Sequence, residues 1–159
     1  MAIHATERTT NVRARAFTLI QGWTISGTPD LIFENQERTQ GDADPFIRVT
    51  IEDVPGRNNG RIGSTTSTEE NALIAFDLFW PETTADAYAI DRAKDDLLYE
   101  LRLFSATFID YSADPESPAA VPGYPIFVTD PPVAVRISSV NGFDRRRVSA
   151  RLRWFTSHS

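Results

Sequence analysis

The densest cluster of chemically capable side chains is a run of arginines near the end of the sequence. Its members are Arg145, Arg146, Arg147, Arg151 and Arg153. Strand-like alternation places Arg147, Arg151 and Arg153 on one face of a predicted last strand. Arginine suits bidentate contact with phosphate or carboxylate groups. Three readings stay open: contact with DNA passing nearby, a salt-bridged subunit interface with an acidic helix, or an edge strand protected from aggregation by charge.

The other reactive residue types do not form a recognisable catalytic or metal-binding pattern. His4 and His158 lie near the two ends, where we expect them to be exposed and outside any helix or strand. The paired carboxylates are Asp86 with Asp91, Asp95 with Asp96, and Glu69 with Glu70. We interpret them as solubilising and as complementing a helix dipole. The glycines at 56, 60 and 63 lack the lysine and helix of a phosphate loop, so we predict no enzyme activity, cofactor or metal.

Composition narrows the class of protein. The 159 residues predict one domain (1–159), with 41% hydrophobic and 24% charged residues, as in ordinary globular proteins. The absence of cysteine excludes disulfides and thiolate metal sites, which fits a reducing cytoplasm or a particle assembled there. The sequence contains no run of 18 apolar residues, so we predict no membrane span. The first ten residues do not have the pattern of a secretory signal. A net charge of −6 argues against a general nucleic-acid binder.

The most informative stretch is residues 69–104. Residues 72–80 alternate with two largely apolar faces, which predicts a central strand covered on both sides. Pro81 is expected to end it, and Thr83 with Asp86 is a loose capping box for a following helix. The apolar stripe of that helix, which must lie on a sheet, is Ile90, Ala93, Leu97, Leu101 and Phe104.

An earlier amphipathic helix is predicted from Thr9 or Thr10 to Gly22, after a flexible tail at residues 1–8. Its stripe comprises Val12, Ala16, Ile20 and Trp23, with Phe17 beside it, while Arg8, Arg13 and Arg15 point outward. We interpret Trp23 as a core anchor. A short edge strand at residues 30–34 and an alternating strand at residues 46–54 follow. The outward face of the second strand is either wet or meets a partner.

Two further hairpins complete the predicted fold. Residues 55–63 (PGRNNGRIG) and the polar residues 64–70 suggest a long hairpin arm that either contacts a neighbouring subunit or forms an exposed loop. A strand at 106–111 precedes a proline-rich surface insertion at 112–125, and a short strand is expected at 124–128. Residues 133–140 and 145–155 alternate around an Asn-Gly turn at 141–144. The fold class is α+β: a mixed or antiparallel sheet packed by two main helices.

This order of elements resembles the tail terminator, or tail completion, proteins of long-tailed bacteriophages. The resemblance spans residues 12–155. It is carried by VRARAFTLI, PFIRVTIEDVP, STTSTEENALIAFDLFWPE, AYAIDRAKDDLLYEL and RVSARLRWF. It implies a small α+β subunit of the virion tail and neck, assembled in the host cytoplasm into a hexameric ring. Such a ring caps the tail tube protein, halts tube polymerisation and meets the stopper or connector protein of the head, and genomic DNA passes through its lumen.

The expected contact surfaces follow from this resemblance and from the polar segments. The predicted subunit or tube contacts are Arg57, Arg61, Glu69, Glu70, Arg147, Arg151 and Arg153. A closed ring needs two different complementary patches, for which the basic strand and the acidic helix are available. Two alternatives remain: another neck or tail-tube protein of similar fold, and a DNA-binding module that uses the arginine-rich strand. A small hydrolase would require a deep pocket with converging carboxylates.

Overall fold

A computed structural model describes the backbone of residues 5–34, 36–37, 44–62, 65–110 and 119–158, and the side chains of 13–34, 36–37, 44–54, 69–104 and 126–154. The elements are α1 (Ala5–Gln21), β1 (Asp30–Phe33), β2 (Phe46–Ile62), β3 (Thr65–Pro81), α2 (Ala89–Arg102), β4 (Ser105–Asp110), β5 (Ala119–Val128), β6 (Val133–Val140) and β7 (Phe143–His158). Neither of the helices in the described ranges is long and apolar enough to cross a membrane.

The strands form one seven-stranded mixed sheet, which agrees with the predicted α+β class. Its order is β1-β2-β3-β7-β5-β4, and β6 also pairs with β7. β1 runs parallel to β2, whereas the other pairings are antiparallel. β7 pairs with β3 along its whole length, and with β6 and then β5 on its other side. The arginine-rich strand is therefore central, and the edge-strand reading of its charges is wrong.

The long β2–β3 hairpin is the scaffold of the sheet. Each strand has 17 residues, and their pairing runs from Phe46 opposite Phe79 to Ile62 opposite Thr65. The register shifts between Val54 and Arg57, and again before Gly60. The backbone thus continues beyond the predicted strand at 46–54. The side chains of residues 55–68 lie outside the described set, so the contact role of the arm stays a prediction.

The hydrophobic core lies on one face of this sheet. Alternate residues of the three long strands are buried there: Ile47, Val49, Ile51, Ile74, Phe76, Leu78, Val148, Ala150 and Leu152. Both helices pack on this same face through Ala16, Ile20, Ile90, Ala93, Leu97 and Leu101. Each large buried side chain contributes about 1.5–3 kcal/mol to folding. β3 is a central strand, as predicted. Its opposite face is covered only in part, because Ala75 and Asp77 are buried there whereas Leu73 is exposed.

The predicted starts of both helices need correction. α1 begins at Ala5, so residues 5–8 are helical rather than a tail. α2 begins at Ala89 after Tyr88, which makes no side-chain capping hydrogen bond. The proposed capping box is absent because the Asp86 carboxylate accepts hydrogen bonds from the Tyr88 backbone N–H (3.0 Å) and from Arg92. Asp86 therefore pairs with Arg92 at the start of α2, and no threonine side chain caps this helix.

The end of α1 and the following loop are tied to the core. Trp23 packs on Phe76 and Phe104, with ring centroids 5.9 and 6.5 Å apart, which confirms the predicted core anchor. Arg13 does not point outward as predicted, because it donates hydrogen bonds to Glu34 (3.0 Å) and to the Ile51 carbonyl (2.8 Å). These bonds fasten α1 across β1 and β2.

The proline-rich region contains more regular structure than its sequence suggests. β4 confirms the strand predicted at 106–111. β5 covers Ala119–Val128 and pairs with β4, so the loop predicted at 112–125 is a strand over residues 119–125, and the short strand predicted at 124–128 is confirmed as part of it. Residues 111–118 lie outside the described set. Extended backbone is compatible with proline near a sheet edge.

The last hairpin is tighter than predicted. Asn141 and Gly142 have φ values of 50° and 78°, as a two-residue primed turn requires. β7 begins at Phe143, two residues before the predicted strand. It continues to His158, whose backbone pairs with Thr66, so the expectation that His158 lies outside any element is wrong. His4 lies outside the described residues.

Candidate interaction surface

The face of the sheet opposite the helices carries most of the arginines on β7. We call it the open face. Its side chains on the four strands are Phe46, Arg48, Thr50, Glu52, Glu69, Asn71, Leu73, Ala75, Asp77, Phe79, Val133, Val135, Ile137, Arg145, Arg147, Ser149, Arg151 and Arg153. The strand register sets Arg48, Asp77, Arg147 and Val135 in one row across the sheet. Period-two alternation therefore gathers these residues from four strands.

A carboxylate at the centre of the open face holds one arginine in place. Asp77 is only 9% exposed and accepts two hydrogen bonds from Arg147, at 2.8 Å from Nε and 3.1 Å from Nη2. Hydrogen bonding to Asp77 raises the pKa of Arg147 above its ordinary value. The Arg147 side chain remains 47% exposed. It thus presents a permanently charged guanidinium in a fixed orientation, since the bidentate fork restricts its rotation.

An aromatic cluster occupies one end of the open face. The rings of Phe46 and Phe79 stack with centroids 4.5 Å apart, and Phe143 meets both edge-on. The Arg145 Cζ lies 4.8 Å from the centre of the Phe79 ring. This cation–π contact fixes a second guanidinium over an apolar platform.

Arg153, another of the arginines predicted as contacts, lies at the opposite end of the open face. The Arg153 Cζ lies 5.2 Å from the centre of the Phe127 ring, and its Nη1 lies 3.6 Å from the Glu69 carboxylate. Arg153 is therefore partly neutralised within its own chain. This contact also places the predicted residue Glu69 on the open face.

Two further arginines are available for contacts outside the chain. Arg48 and Arg151 are exposed, and no carboxylate of a described residue lies within ion-pair distance of either. Exposed aliphatic side chains lie near Arg151: Leu73 is directly opposite it on β3, and Val133 and Val135 are on β6, which pairs with the other side of β7. Arg48 lies on β2, opposite Asp77. Cations flanked by apolar groups can bind a carboxylate or phosphate while burying apolar area.

The structure brings together four of the seven residues predicted as contacts. Arg147, Arg151, Arg153 and Glu69 share the open face, whereas Glu70 faces the helix side, as does its strand neighbour Ala72. The backbones of Arg57 and Arg61 pair with those of Glu69 and Thr66, and their side chains are outside the described set.

Sequence reasoning missed several members of the surface. Arg48 had a signal, since alternation at residues 46–54 assigned it outward. No sequence signal indicated that Leu73, Val133 and Val135 are exposed, because an apolar residue in a strand is ordinarily expected to be buried.

The described cavities are shallow, and one of them, of about 330 Å³ beside β1 and β2, includes Arg48 and Thr50 of the open face in its lining. Another of about 330 Å³ is lined by Trp23, Ile25 and Leu31, and one of about 270 Å³ by Trp80, Asp86 and Asp144. Within the described residues, no three histidine, aspartate or glutamate side chains gather as a metal site would require. The charged and apolar groups that could bind a partner therefore come together on the open face and not in an enclosed cavity.

Comparison with known proteins establishes a shared fold alone. No family model matches the chain, and no curated protein matches it. A solved structure whose name gives no function matches with a TM-score of 0.56 and 10% sequence identity, covering 96% of each chain. At that identity, likeness extends to the arrangement of helices and strands and not to any activity.

Proposed function

We propose that this protein is a virion structural protein, a tail terminator whose ring caps the tail tube and joins the tail to the head connector. The observation that carries the proposal is the open face, where exposed arginines, one of them held in place by Asp77, share the surface with exposed Leu73, Val133 and Val135. Arginine and apolar groups together are typical of protein interfaces. The resemblance of the sequence to tail terminators supplies the kind of assembly.

The proposed mechanism is steric and electrostatic. A ring docked on the last ring of the tube covers the edge to which further tube subunits would add. Growth of the tube therefore stops. The opposite side of the ring presents a different surface, which binds the head connector. The long β2–β3 hairpin is the proposed arm that reaches a neighbouring subunit or the tube, with Arg57 and Arg61 along it.

DNA binding is the second candidate. The exposed Arg48 and Arg151 favour it, because no carboxylate of a described residue lies within ion-pair distance of either. Three carboxylates weigh against it, because Glu52, Glu69 and Asp77 share the open face and would repel phosphates. A DNA-binding module would bind duplex DNA with an affinity that falls steeply with salt. Weak binding without that slope would favour a protein contact.

The experiment for the terminator uses the tail tube protein of the same virus. The purified chain is added to polymerising tubes, and electron microscopy measures tube length and end structure. We expect shorter tubes with a ring at one end, and native mass spectrometry of the ring alone or on short tubes should give a closed stoichiometry. Tubes of unchanged length with bare ends would overturn the proposal. Long cylinders formed by this chain alone would instead identify a tube protein.

A matched pair of variants separates a surface role from general damage. Arg151→Glu reverses an exposed arginine of the open face, and Arg136→Glu reverses an exposed arginine of β6 that lies on the other side of the sheet. We expect Arg151→Glu to reduce tube capping and Arg136→Glu to leave it unchanged. Equal loss in both would contradict the assignment of the open face.

A further inference from the structure

Large exposed apolar side chains occur on both sides of the molecule. One group contains Leu73, Val133 and Val135 of the open face, which are 37%, 56% and 48% exposed. The other contains Tyr88, Tyr99 and Leu103, which are 70%, 60% and 60% exposed and belong to α2 and its ends. Tyrosine is enriched in protein interfaces because it buries a large area at low entropic cost.

The second group forms a continuous stripe on the helix. Tyr88, Asp95 and Tyr99 are separated by seven and four residues, which places them on one side of α2. Leu103 continues the stripe at the end of the helix. The buried residues Ile90, Ala93, Leu97 and Leu101 occupy the opposite side. We call Tyr88, Asp95, Tyr99 and Leu103 the outer stripe of α2.

The segment that carries the outer stripe has an acidic excess and the open face a basic excess, although Arg92, paired with Asp86, lies on the same side of α2 as the stripe. The Asp95 side chain is largely exposed, with Lys94 Nζ 3.3 Å from its Oδ1. The segment from residue 86 to 104 contains five acidic and three basic residues. On the described residues of the long strands β2, β3 and β7, the open face has five arginines against the three carboxylates Glu52, Glu69 and Asp77. Tyrosine rings can also stack on guanidinium groups such as those of Arg48 and Arg151.

We infer that the outer stripe of α2 packs on the open face of a second copy of this chain. The two surfaces lie on opposite sides of one sheet, so each copy offers both, and the contact is heterologous rather than two-fold symmetric. Such a contact generates a ring when the rotation between copies closes. This inference deepens the proposed function, and ring closure at the tube end rests on it.

The experiment uses disulfide trapping, because the chain has no cysteine of its own. Leu73→Cys and Tyr99→Cys are made separately, checked for folding by circular dichroism, and oxidised alone and as a mixture. We expect a covalent dimer in the mixture and little in either variant alone, both free at high concentration and assembled on tail tubes. Thr18→Cys, on the exposed side of α1, replaces Tyr99→Cys as the control and should not cross-link to Leu73→Cys.

Each outcome decides a different question. The absence of the mixed dimer under both conditions overturns the inference, as does efficient cross-linking of either single variant alone, which indicates a two-fold contact. A mixed dimer from a chain that does not cap tubes supports the contact and contradicts the terminator function. Tube capping without the mixed dimer supports the function and rejects this partner surface.

Discussion

At the scale of single residues, the ion pair between Asp77 and Arg147 fixes the central arginine of the open face, and the sequence alone could not reveal this pair. Alternation correctly placed Arg147 with Arg151 and Arg153 on one strand face. Its partner Asp77 lies 70 residues earlier, in a strand that reads as apolar on both faces. The pairing of β3 with β7 brings the two together, and that register is a tertiary property.

We expect Asp77→Asn to lower the free energy of unfolding by about 1–2 kcal/mol. This is less than for a fully buried ion pair, because Arg147 keeps part of its hydration. The substitution removes the charge while keeping a side chain of similar size, so Arg147 loses its fixed orientation. Urea denaturation measures the effect. The control is Glu52→Gln, an exposed carboxylate of the same face, which should change stability little. An Asp77→Asn variant as stable as the parent would contradict a structural role for the pair.

The Asp86 carboxyl should titrate abnormally. Hydrogen bonding from Arg92 is the main cause that lowers the pKa of Asp86 below its ordinary value of 3.8, and the Tyr88 N–H adds to it. A lowered folded pKa stabilises the protein above the unfolded pKa, and this contribution is lost as pH falls through the folded value. We expect NMR titration to show a higher Asp86 pKa in Arg92→Gln than in the parent. An unchanged pKa would exclude Arg92 as the cause.

At the scale of elements, local signals predicted the strands and helices better than their ends and neighbours. The hairpin 133–158 was recognisable because Asn-Gly favours a primed turn between alternating segments. The start of α2 was misplaced because Thr83 is a good capping residue, but Asp86 bonds to Arg92 instead. The sequence signal of β7 could not distinguish a central from an edge strand, since both alternate in the same way.

The last hairpin should require glycine at position 142 because of the backbone conformation there and not because of limited space. Its φ of 78° is unfavourable for any residue with a side chain, while a Cβ there would have no atom within 4 Å. We expect Gly142→Ala to lower the free energy of unfolding by about 1 kcal/mol. Gly22→Ala is the matched control, because its φ is not positive and the added Cβ makes an ordinary contact. Denaturation curves that shift equally for both variants would reject this explanation.

At the scale of the whole molecule, the placement of both helices determines which surfaces can meet a partner. α1 and α2 pack on the same face of the sheet, so the open face and its four β7 arginines are not covered by either helix even though the strand is central. The sequence predicted a two-sided sheet because both faces of β3 are rich in apolar residues. On the open face, Ala75 and Asp77 are nevertheless buried, and each lies between paired residues of β2 and β7.

A charge swap tests whether the two surfaces meet each other. Asp95→Arg and Arg151→Asp each place like charges in the proposed contact, so each alone should weaken self-association by about tenfold. The double variant restores opposite charges and should recover part of that loss, since the coupling between two groups in contact is not additive. Sedimentation equilibrium of the chain, or competition for tube ends, gives the affinities. Two losses that simply add in the double variant would show that Asp95 and Arg151 act at separate sites, and the proposed ring would then need a different pair of surfaces.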